Sequence, residues 1–241
     1  MLNSIILGSG GIIVYLLGQR LKFSVPESVF FAAIYLLLPG IFNLNLANFY
    51  SFHEVHLLFP VVLLAFYFYE GKQYIPAVIM CLFSMTIQET VPALWLGVAA
   101  VLLVRRQFRM AIMLGIGSLL YYYLANQILV PWIRGAEVNA SIYRFAHLGN
   151  SMGEIALSPL IRPAAFWGSL FRPATGYFFV MMVLPVFTLT FSFPLWLLAG
   201  LIPFVFICIE GTDQTQNIMM HYQTMMMIAI ILNTLYCYQR V

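Results

Sequence analysis

The chain is 241 residues long, 63% hydrophobic and only 8% charged, with a formal net charge of +3 and a mean hydropathy of +0.94. Eight acids and eleven basic residues cannot cover a water-soluble globule of that apolar content, because soluble domains carry roughly 25% charged residues. Lipid is the expected solvent, and the small net charge leaves no nucleic-acid footprint.

In hydrocarbon every backbone N–H and C=O must be paired internally, which restricts the chain to helices or a closed barrel. Its apolar runs are continuous rather than alternating, so helices are expected. The first run, residues 2–18, lacks a basic stretch before it and a small-residue cleavage site after it, and reads as a retained helix. Its glycines Gly8, Gly10, Gly11 and Gly18 suit close helix packing. Further runs at about 28–42, 57–69, 75–87, 91–104, 110–131, 176–192, 194–209 and 222–238 bring the count to nine. The expected fold is thus an all-α polytopic transmembrane helical bundle, although several runs are shorter than the ~20 residues of a straight crossing. Residues 75–87 and 91–104 are read as two helices, because Gln88, Glu89 and Thr90 would otherwise lie mid-helix with Pro92 just beyond.

One long connection remains, residues 132–175. Ser151 and Glu154 match a capping box, predicting a short helix from there. Pro163 opens an apolar, aromatic stretch through Phe171 that suits the membrane interface. Residues 1–241 therefore read as a single membrane domain, with 132–175 as an extracytoplasmic loop carrying interfacial helices. Cys81, Cys208 and Cys237 fall in apolar runs and read as core residues.

When the nine runs alternate, Arg20, Lys22, Lys72, Arg105, Arg106, Arg109 and Arg240 share one face. Basic residues in short loops mark the cytoplasm. The amino terminus is then outside and the carboxy terminus cytoplasmic, in what is expected to be the plasma membrane of a prokaryote. The opposite face receives His53, Glu54, His56, Glu89, Glu137, Glu154, Glu210, Asp213, and the loop's Arg134, Arg144, His147, Arg162 and Arg172, with His221 and Tyr222.

Several of these residues suit chemistry. His53 and His56 flank Glu54 and could ligate a divalent metal, or simply hydrogen-bond near headgroups. Glu89, between two apolar runs, is costly unless it meets water or a partner; capping the next helix and chemistry are both open to it. Arg134, Arg144, Arg162 and Arg172 could hold a phosphate bidentately or anchor to lipid headgroups. His147 follows Arg144 by three residues, within one helical turn. Glu54, Glu89, Arg144 and His147 are expected to line one cavity.

The stretch from Phe52-His53-Glu54-Val55-His56 to Pro60, the Gln88-Glu89 pair, Tyr143-Arg144-Phe145-Ala146-His147 through Glu154-Ile155, and His221-Tyr222 resemble the membrane proteins grouped as domain of unknown function 2079. The likeness is read from about residue 30 onward. Those proteins are in turn similar to GT-C glycosyltransferases, which take sugars from polyprenyl-phosphate donors at the outer face. The resemblance implies a donor of that kind as ligand, membrane lipids as surroundings, Glu54 or Glu89 as catalytic carboxylate, and Arg134, Arg144, His147, Arg162, Arg172, His221 and Tyr222 as substrate-binding residues. Two departures stand out: Gln88-Glu89-Thr90 replaces a Lys-Glu-Asp triplet, and the acidic residue of the first outer loop of GT-C enzymes has no counterpart. The amino-terminal part of that pattern is therefore expected to be missing, which leaves an inactive fragment among the readings. A transporter or lipid flippase, or a non-catalytic partner protein, are the alternatives.

Overall fold

The computed structural model describes residues 2–46, 53–135, 140–210, 216 and 221–239, and all regular structure among them is helical. The first helix, α1 (Leu2–Arg20), packs against α2 (Val25–Leu37). Glycine makes that approach possible: a Cβ at Gly10 would collide with the Tyr35 ring, one at Gly18 would lie 2.9 Å from Ser28 Oγ, and the Tyr35 hydroxyl donates to the Leu7 carbonyl at 3.0 Å. Gly8, by contrast, faces open space. After α2 the chain bends by 59° into α3 (Pro39–Leu46), because Pro39 cannot return a hydrogen bond to the preceding turn.

Helices α4 (Leu58–Glu70), α5 (Tyr74–Ile87), α6 (Pro92–Val104) and α7 (Phe108–Leu124) follow as two antiparallel pairs. The expected break lies between α5 and α6: Gln88 is extended at φ −152°, and Pro92 opens the next helix. Past α7, a single π turn over Ala125–Leu129 leads into α8 (Val130–Arg134), so that one continuous helix covers Phe108–Ile133. Then come α9 (Met152–Ile161), α10 (Pro163–Leu170), α11 (Pro173–Val183), the short α12 (Phe187–Ser192), α13 (Leu197–Ile209) and α14 (Thr224–Tyr238).

Two expectations need correction. Three helices among the described residues are long and apolar enough to cross a membrane: Leu2–Arg20, Phe108–Ile133 and Pro163–Val186; the bent pair α2–α3 makes a fourth if it is one span. At ~1.5 Å per residue the 19 residues of the first reach ~28 Å, matching the ~30 Å hydrocarbon core. Nine was the expected number, but Tyr74–Ile87, Pro92–Val104, Pro194–Ile209 and Thr224–Tyr238 are shorter apolar helices of at most 16 residues. The second correction concerns the connection 132–175. One membrane-length helix ends at Ile133 and another begins at Pro163, so the connection shrinks from both sides and the helix expected at 176–192 starts earlier. Pro173 stands in the first turn of α11, where its missing N–H costs nothing, and α11 ends where Pro185 enters the next turn.

The core gathers around α14, which is buried throughout from Thr224 to Cys237. Helix α13 crosses between α14 and α6, and Gly97 of α6 lies so close to the Ala199 backbone that no side chain fits between them. Asn233, buried within α14, accepts the Trp196 N–H at 2.9 Å and so satisfies a backbone donor at the entry to α13. Cys81, Cys208 and Cys237 are buried free thiols, as their apolar surroundings suggested.

Three turns share one geometry. Lys22, Lys72 and Arg106 all have left-handed φ, of 69°, 58° and 60°. Each donates its N–H to a carbonyl three residues back, and the following residue donates to one five residues back: Phe23 to Gly18, Gln73 to Phe68, Gln107 to Leu102. These are Schellman caps with a cation where glycine is usual. A left-handed L-residue costs roughly 1–2 kcal/mol. Lys72→Gly should therefore raise unfolding stability by about 1 kcal/mol in detergent denaturation, while Lys72→Ala, which loses the charge but keeps the Cβ, should not.

Candidate functional site

The ends of the helices sort the polar residues into two groups. At one end, called basic here, Arg20 Nη2 donates to the Tyr67 hydroxyl at 3.1 Å, Tyr69 donates to Gln107 at 2.7 Å, and Arg105 lies 5.8 Å from the Trp196 and Tyr236 ring centres. The acids of this end are occupied: Tyr236 donates to Glu70 and Tyr238 to Glu27, each at 2.6 Å. None of this pairing was read from the sequence, because the partners lie as far as 211 positions apart.

The other end carries the predicted site residues. Ser151 caps α9 by accepting the Glu154 N–H at 3.2 Å, while the Glu154 carboxylate accepts the Asn150 N–H at 3.0 Å, one residue short of the reciprocal arm of a full capping box. That cap, with Leu148, Ile155, Phe166 and Ile209 in a small separate core, seats the segment around 140–172 on the end of α13. The seat brings Arg144, His147, Arg162 and Arg172 together. Arg144 Nη1 donates to Glu210 Oε1 at 3.4 Å, and its guanidinium carbon lies 5.9 Å from the Tyr222 ring centre. Its hydrogen bond with the Tyr143 side chain and the Glu210 charge raise its pKa against the opposing effect of burial. Arg162 donates to the His147 carbonyl at 3.5 Å, and His147 Nε2 lies 3.3 Å from the Ser169 hydroxyl. Arg172 donates to the carbonyls of Ser169, Cys208 and Glu210 at 3.1, 3.1 and 3.5 Å. It thereby satisfies terminal carbonyls of two helices, α10 and α13. Partial burial and the Arg172 charge hold the His147 imidazole below its ordinary range.

Glu54 and Glu89 stand at this same end, at the start of α4 and in the α5–α6 junction. No hydrogen bond or ion pair joins either to Arg144 or His147 among the described residues. Glu89 is half-buried. The side chains of Arg134 and His221, and the whole of Glu137, Asp213 and Arg240, lie outside the described residues.

His53 caps a 3-10 turn over Glu54–Leu57 and His56 lies within it, with ring centres 6.2 Å apart. His53 Nδ1 is engaged by the Val55 N–H at 3.4 Å and by Glu54 at 3.5 Å, and no three His, Cys, Asp or Glu side chains gather as a metal site among the described residues. His56 is 4% exposed, with its Nδ1 unpartnered among the described residues. Burial first, and the His53 charge second, depress its pKa, with Glu54 opposing.

The whole arrangement defines an all-α membrane protein with a cluster of arginines at one end of its bundle. The chain belongs to the family of predicted membrane proteins known as domain of unknown function 2079, whose match covers residues 1–241 and so extends ahead of the motifs read from about residue 30. No curated protein and no solved structure matches it.

The His56 environment makes a prediction. A histidine whose folded pKa lies below the unfolded ~6.5 contributes its full stabilisation above ~6.5 and loses it as pH falls through the folded value. Protection against hydrogen exchange at the start of α4, taken relative to the intrinsic exchange rate, should fall between neutral and mildly acidic pH, and His56→Leu should flatten that dependence; an unchanged profile in the variant would assign the effect to another group.

Proposed function

We propose that this membrane protein transfers a sugar from a polyprenyl-phosphate donor at the arginine-bearing end of its bundle, in the manner of GT-C glycosyltransferases. The observation that carries this reading is the gathering of Arg144, His147, Arg162 and Arg172 on one segment seated beside membrane-length helices. Glu54 or Glu89 takes the proton of the acceptor hydroxyl. The acceptor oxygen bonds to the anomeric carbon, the sugar–phosphate C–O bond breaks, and its electron pair leaves on the phosphate. Arg144 and Arg162 neutralise that departing charge, while Arg172 positions the segment through its three carbonyl contacts. A transporter or lipid flippase would want polar groups along a path between leaflets; the polar groups here favour the two ends. A non-catalytic partner protein would need no such cluster.

In this reading the basic end faces the cytoplasm and the segment around 140–172 faces outward with Trp167 and Phe171 at the interface, within one domain in a prokaryotic plasma membrane. Two measurements test it. Consumption of polyprenyl-phosphate sugar by membranes containing the chain should fall at least ~10²-fold in Glu89→Gln or Glu54→Gln, as for loss of a general base; activity unchanged in both removes the carboxylate role. Gln107→Cys, in a chain whose own cysteines are buried, should stay unlabelled by an impermeant thiol reagent in intact cells, and labelling there would reverse the orientation.

A further inference from the structure

Helices α5 and α7 do not close over α4 and α6. Between them lies a cavity of about 660 Å³, within the roughly 300–1,000 Å³ of sites that hold small ligands. Phe66 and Trp95 stack on its floor, and Cys81 and Met113 flank it. Its polar lining is concentrated at the basic end, where Tyr69, Tyr74 and Arg109 form the mouth. Counted along α5 from Tyr74 to Met85, the cleft extends ~16 Å into the apolar zone. The outer faces of both helices are exposed and apolar, with Ile75, Val78, Ile112 and Ile116 each more than half exposed. Whatever enters from the side comes from the bilayer.

The shape asks for a ligand with one apolar tail and a polar head, and the charge at the mouth decides which head. Arg109 forms no ion pair with a described residue, nor do Lys72 and Arg106 in the adjoining turns. The nearby acids Glu27 and Glu70 each accept a tyrosine hydroxyl instead. A second copy of this chain docked side by side would bring the same unpaired cations against them, which like-charge repulsion disfavours. We infer that the cleft binds an anionic membrane phospholipid, with one acyl chain between α5 and α7 and the phosphate on Arg109. This site stands at the opposite end of the bundle from the proposed transfer site and does not depend on it.

The test uses the whole chain in phosphatidylcholine vesicles containing a small fraction of a phospholipid with a photoactivatable acyl chain, bearing either a phosphatidylglycerol or a phosphatidylcholine head. Peptide mapping should place the label on α5 and α7 within the cleft, with the anionic probe favoured about fivefold, as one arginine beside an anionic surface supplies. Arg109→Gln should equalise the two probes. Gly117→Phe should reduce cleft labelling by both, since a Cβ at Gly117 meets nothing within 4 Å and the ring can fill the cleft without displacing backbone. Gly8→Phe, in equally open space on α1, should leave labelling as it is. Equal labelling by both heads in the native chain, label scattered outside the cleft, or crosslinks joining two copies through it would each overturn the assignment.

Discussion

A helix withdrawn from both water and lipid fixes the rest of this molecule. All of α14 from Thr224 to Cys237 is buried, so its neighbours must supply a wall on every side. Fifteen residues rise only ~22 Å, less than the hydrocarbon thickness, and the surrounding protein has to complete its shielding. The polar atoms it carries inward are matched individually. Asn233 takes the Trp196 N–H, Thr234 donates to the Ile230 carbonyl, and Tyr236 reaches Glu70. Tyr236 also stacks on Trp196, whose ring packs edge-on against Phe66. One short helix thereby sets where α4 ends and α13 begins.

The two ends of the bundle solve the burial of polar groups differently. At the basic end, tyrosine hydroxyls donate to the carboxylates of Glu70 and Glu27, so these acids have partners other than the nearby cations. At the opposite end, Arg172 spends its donors on main-chain carbonyls and Arg144 engages Glu210. An arginine fixed in this way adds positive potential in a defined place and has little freedom to move. Arg162, with a single long contact among the described residues, is the member of that group freest to turn toward a ligand. The end that carries the proposed chemistry is thus stiff in its frame and adaptable at one side chain.

Much of this was legible where residue type dictates geometry. Pro92 and the polar triplet before it marked the α5–α6 break, Ser151 marked the start of α9, and Gly10 and Gly18 marked a close approach that α2 fulfils. The helix Pro163–Val186 was misplaced because Arg172-Pro173 looks like a boundary, whereas proline fits a first turn and the arginine folds back onto carbonyls. Hydropathy also cannot tell a helix that faces lipid from one that faces protein. Over its apolar 18-residue stretch Phe108–Ile133 is 17% buried and α14 is almost wholly so, yet both read as apolar runs. Of the proposed site, the residue types could be named, but the Arg144–Glu210 pair spans 66 positions and belongs to tertiary packing. The local geometry of the histidine pair also lay beyond residue spacing: His53 turns onto its own backbone in the 3-10 turn.

The three caps at Lys22, Lys72 and Arg106 bear on how the chain enters a bilayer. Each closes one of the tightly packed helical hairpins α1–α2, α4–α5 and α6–α7, with so few residues between the helices that the two arms must enter together. The cation sits at the hairpin's apex. Pulling the apex through would carry it across hydrocarbon, at roughly 2.5–3.5 kcal/mol for each such residue on insertion scales. A hairpin inserted correctly is therefore latched, and one inserted backwards is resisted at the moment its tip arrives. Glycine would make each turn easier to form and leave it without that latch.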